Sequence, residues 1–179
     1  MTNFQGKTMS LIRRAIDGLS TIAFVFAGAI LVYAVCHILL EIVLRSVFAT
    51  STHVLDEFIG FAILSITFLS LAATLRDGAM IKVNLLVSVL PMNVQRWLDA
   101  ATSLIAALLV IAALRYFFRN LAKDWERGTV SESVAQVPLW IPGTIVCIGA
   151  ALLALQLLLR TVLAARGELL DEATDAGGH

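Results

Sequence analysis

Few side chains in this 179-residue chain combine type and spacing in a way that suggests chemistry. His37 and Glu41 are four apart, so a helix carries them on one face. Inside a membrane such a pair can relay protons or ions, because a buried ionisable group is costly and tends to be functional. The simpler reading places Glu41 at an interface, paired with His37 or Arg45 and holding a helix end or a partner subunit. Its position near the charged end of the apolar run favours this second role. Asp124 and Glu126 are two apart, so they do not share a helix face and read as solvated charge rather than an acid/base pair. Ser65, Thr67, Ser70 and Thr74 can line a polar path, or can bond to carbonyls of their own helix.

Other chemistries lack their signatures. Cys36 and Cys147 sit inside apolar blocks as small packing residues, with no Cys-His spacing for zinc, and three histidines are too few and scattered for haem or a metal cluster. There is no dinucleotide-binding glycine motif, phosphate loop, H-E-x-x-H or G-x-S-x-G. The reading is therefore of a protein that is not an enzyme and binds no cofactor. A net charge of zero and a pI near 6.8 exclude the basic field of a nucleic-acid binder.

The surrounding elements are built for lipid. Hydrophobic residues make up 59% of the chain and charged ones 15%, where a soluble domain carries roughly 25% charge. Phe58 to Leu75 holds no charged side chain, and about 20 apolar residues suffice to cross a bilayer core. The apolar blocks predict spans over about 19–40, 54–75, 97–118 and 141–163, within one membrane domain covering 1–166. A flexible cytoplasmic tail follows at 167–179. Between the second and third spans, Ile81, Leu85, Leu86, Val89 and Leu90 form an apolar face opposite Lys82, Asn84 and Ser88, which predicts an amphipathic interfacial helix ending at Pro91. The fold class is thus an all-α membrane protein of four transmembrane helices with that interfacial helix. Trp97, Tyr116, Trp125 and Trp140 have the character of interfacial anchors, and Pro138, Pro142 and Gly143 mark the approach to the last span. Counting Lys and Arg gives eight on the side of the termini and five on the other, which favours cytoplasmic termini.

Asp56-Glu57 at the start of the second span, R-D-G-A-M-I-K-V-N-L-L-V-S-V-L-P after it, and S-x-x-V-A-Q-V-P-L-W-I-P before the fourth carry a resemblance. Over Ile12 to Leu163 the chain resembles the DctQ-like small membrane subunits of tripartite ATP-independent periplasmic (TRAP) transporters. The family segment after the second span matches at Arg76, Gly78, Ile81 and Val83. Met80 stands where a histidine is usual, Asn84 where an aspartate is usual, and His53 where a tryptophan often precedes the acidic pair. The resemblance implies sodium-driven import of an organic acid or similar solute without ATP hydrolysis. A large multispan permease subunit then carries the transport path, a periplasmic solute-binding protein delivers the ligand, and the small subunit braces the large one among membrane lipids. Glu57 is expected to anchor the second helix, Arg76 and Gly78 to shape its turn, and Arg76 with Asp77, or Lys82 with lipid phosphate, to replace the missing His-Asp interaction. Glu41, Asp56, Trp97, Pro138 and Trp140 complete the expected structural or partner-contact residues. The rival readings are a self-contained four-span transporter or channel using His37 and Glu41, and a subunit of a membrane redox complex.

Overall fold

The computed structural model describes residues 2–52, 54–77, 91–132 and 134–166. Its helices are α1 (Thr2–Phe48), α2 (Leu55–Arg76), α3 (Met92–Arg127) and α4 (Trp140–Arg166). Each is long and apolar enough to cross a membrane. The expected fold class needs correction on one point. Among the described residues these four apolar helices are the only helical elements, and no fifth, interfacial helix is among them. The segment to which that amphipathic helix was assigned, 78–90, lies outside the described residues, as does the tail at 167–179.

Two helices are longer than their apolar blocks. The 47 residues of α1 span about 70 Å at 1.5 Å per residue, far more than a bilayer core of roughly 30 Å. The charged segment after Phe118 continues α3 as far as Arg127. Solvated charges do not stop a helix, and nothing between Arg119 and Arg127 breaks one. Gly128 does, at φ +60°, in the left-handed region where a side chain is strained. The chain then turns back through an antiparallel bridge between Val130 and Pro138, with Ser131 N donating to Val137 O at 2.9 Å and Leu139 N to Thr129 O at 3.1 Å. Pro142 sits in the first turn of α4, where its missing N–H costs no helical bond.

α4 is the central helix, packed against α3, α2 and α1, while α1 also lies along α2. Half of its apolar stretch is buried (50%), against 17% for those of α1 and α3. Ala23 and Ala27 of α1, Leu69 and Ala72 of α2 and Leu152 of α4 form one cluster; Leu75, Ala107, Leu153 and Leu157 form a second. Small residues set the spacing, since without a solvent-driven hydrophobic effect between helices, close packing must do the work. The extreme case is Gly149. A Cβ there would lie 2.5 Å from the carbonyl oxygen of Phe68, so α2 and α4 touch backbone to backbone. The outer faces are strongly apolar, with Val25, Phe26, Val32, Leu109 and Phe118 all more than 60% exposed, which suits lipid or protein neighbours rather than water.

Candidate functional site

Polar side chains gather at the two ends of the bundle. At one end Glu41 is only 1% exposed although it carries a carboxylate. Such burial is tolerable only where the oxygens are fully engaged. Oε1 accepts from Arg45 Nε at 2.8 Å and from Ser51 Oγ at 2.5 Å; Oε2 accepts from Thr52 N at 3.1 Å and Thr52 Oγ1 at 2.7 Å. Arg45 lies one turn further along α1, and the short connection beginning at Ala49 (φ 50°) brings Ser51 and Thr52 back over the helix end. Glu41 therefore ties the α1–α2 connection to α1.

His37 takes no part in that clamp. Its Nδ1 lies 3.5 Å from Tyr33 Oη, and its ring meets Phe58 of α2 edge-on at 5.9 Å. Asp56 is exposed, whereas Glu57 is partly buried with Oε2 enclosed and without a hydrogen-bond partner among the described residues. The hydroxyls of α2 bond within their own helix: Ser65 to Phe61 O, Thr67 to Ile63 O, Ser70 to Thr67 O and Thr74 to Ser70 O. No continuous polar file through α2 results from them.

At the other end Arg76 reaches from α2 to α1, donating to Asp17 O at 2.9 Å and Thr21 Oγ1 at 2.6 Å, while its Nε meets Asp77 Oδ1 at 2.8 Å. Gln156 of α4 donates to Asp17 Oδ1 at 3.0 Å and to Ser20 Oγ at 3.1 Å. Three helices are thereby joined around Asp17. Beside them Arg96 of α3 donates to Ala164 O at 3.1 Å and to Ala165 O, capping the end of α4, and Asp99 faces Arg160 at 3.9 Å. Arginine at a helix C-terminus satisfies carbonyls that have no partner within the helix.

Of the residues expected from sequence, Glu41 and Arg76 occupy these two clamps at opposite ends of the bundle. Trp140 packs edge-on against Trp125 at 4.9 Å, Pro138 lies in the bridge before α4, and Trp97 is 69% exposed. Gly78, Lys82 and Asn84 lie outside the described residues. Sequence reasoning assigned no role to Ser20 or Gln156. A lone amide in the apolar run Leu152 to Leu159 was the available signal. Among the described residues no three His, Cys, Asp or Glu side chains are grouped to hold a metal ion.

Residues 34–167, about three-quarters of the chain, match the family described as the DctQ component of tripartite ATP-independent periplasmic transporters. The chain belongs to the DctQ family. It is a multi-pass membrane protein and a small permease subunit of the TRAP type. Neither a curated protein nor a solved structure matches it. The DctQ match takes in Glu41, Arg45, Arg76 and Gln156, while Asp17 and Ser20 precede it. The clamp at the Arg76 end of this DctQ subunit thus joins matched residues to the part of α1 that lies before the match.

Proposed function

We propose that this subunit braces a large multispan permease subunit in a bacterial inner membrane, within a transporter that imports an organic acid or related solute. The import is sodium-driven and supplied by a periplasmic solute-binding protein, and the small subunit itself carries no solute. Both termini lie in the cytoplasm. The observation that best supports the reading is the distribution of polarity: Glu41 and Arg76 hold the ends of the bundle, and apolar clusters fill the space between. A polar path needs side chains that face one another across helices near the membrane centre. Here the α2 hydroxyls are engaged with their own helix, and Glu41, on which a self-contained transporter would depend, is fully occupied at a helix end. A brace, by contrast, needs a rigid interior and broad apolar outer faces.

Purification in mild detergent followed by reconstitution tests the reading. The chain is expected to bring down a large membrane subunit encoded with it, and to give no solute uptake alone in proteoliposomes under an inward sodium gradient. Uptake well above that of protein-free vesicles by the isolated chain would overturn the proposal.

A further inference from the structure

Arg115, Arg119, Lys123 and Arg127 follow one another at intervals of four residues along α3, so they form a slowly winding basic column at the end of the helix nearest Gly128. All four are exposed, and among the described residues none has a hydrogen bond or ion pair. Other arginines of this protein are engaged: Arg45 on Glu41, Arg76 on Asp17 and Asp77, Arg96 on the end of α4. A guanidinium on a membrane-spanning helix calls for a counter-charge, and among the described residues none is paired with these four side chains.

The first two members of the column border a groove of about 800 Å³ between α3 and α4, within the size range of small-molecule sites. Its lining is otherwise largely apolar, with Phe118 from α3 and Cys147, Ile148 and Ala151 from α4. Two chemistries therefore meet in one place, a pair of positive forks and a trough of hydrocarbon running between two spans.

We propose that this groove holds one anionic phospholipid, with its phosphate between Arg115 and Arg119 and an acyl chain along Phe118, Ile148 and Ala151. Guanidinium groups one turn apart match phosphate oxygens in charge and in fork geometry. A free carboxylate or phosphate would answer only the charge, whereas one phospholipid brings the anionic group and the hydrocarbon together. The assignment does not depend on the transport role or on the orientation of the chain.

The full-length chain, purified in detergent and offered phosphatidylglycerol or phosphatidylcholine, is examined by native mass spectrometry. Two arginines beside an anionic headgroup correspond to a preference of about thirtyfold for phosphatidylglycerol. The double variant Arg115→Gln/Arg119→Gln is expected to lose that preference. Arg127→Gln removes one positive charge about 12 Å beyond Arg119 along α3 and should keep it. Ala151→Phe fills the trough, leaves both arginines in place, and is expected to lower retention of either lipid. Inorganic phosphate at the same concentration should not displace the lipid. Equal retention of the two lipids by the unmodified chain, persistence of the preference in the double variant, or displacement by free phosphate would each overturn the assignment. So would loss of the copurifying permease subunit from the double variant with lipid retention unchanged, which would give the two arginines to a protein interface.

Discussion

Glu41 can be buried because the chain brings donors to both of its oxygens, from the next turn of α1 and from the backbone and hydroxyls of the following connection. The carboxylate is the hub and each donor a spoke, which orders the effects of mutation. Ser51→Ala removes one donor and is expected to cost about 1 kcal/mol. Glu41→Ala strands several donors at once and should lower the thermal midpoint of the detergent-solubilised chain clearly more; Glu41→Gln should fall between, since its amide turns an N–H toward groups that are themselves donors. Equal losses from Ser51→Ala and Glu41→Ala would show that the connection is held by something other than the carboxylate. The sequence offered Glu41 two local partners, His37 and Arg45, one turn to either side, and the fold uses Arg45. Gln156 and Asp17 were not joined in advance, since they lie 139 positions apart and spacing says nothing about helices that meet only after folding.

At the scale of helices, the decisive contact is the approach of α4 to α2 at Gly149. The obstacle to a larger residue is the backbone of Phe68, its carbonyl carbon 2.6 Å and its oxygen 2.5 Å from the site of a Cβ. Gly149→Leu is accordingly expected to destabilise the bundle by about 1–3 kcal/mol or more, as overpacking does. Trimming the opposing side chain should bring little relief, so Gly149→Leu/Phe68→Ala should unfold no later than the single variant in a denaturant or thermal titration. Full rescue by the second change would place the obstruction in the side chain instead. The number and order of the spans were readable from apolar run length alone. The ends of α1 and α3 were not, because an apolar count measures the part of a helix that lipid can cover, while a helix continues until its backbone is stopped. For α3 the stop is Gly128, nine residues beyond Arg119.

For the whole molecule, the proposed orientation places the α3–α4 connection in the periplasm and the Arg76 end in the cytoplasm. It rests on a modest excess of basic residues and is directly testable. In a background with Cys36 and Cys147 changed to alanine, Glu132→Cys is expected to react with a membrane-impermeant thiol reagent applied to intact sphaeroplasts, and Asp77→Cys only after the membrane is opened. Both positions are exposed, so access to the reagent and not burial decides the result. The reverse pattern would invert the chain in the membrane.

The same backbone contact at Gly149 also bears on how the protein is made. α1 and α2 are joined by a short connection clamped on Glu41, and α3 and α4 by the loop closed through Val130 and Pro138, so each pair can enter the bilayer as a hairpin before it meets the other. Docking of the two hairpins then depends on α4 settling against α2 where no side chain intervenes. A larger residue at that seam is therefore expected to spare insertion of the two hairpins and to impair their assembly, read as correct topology with a shortened lifetime in the membrane.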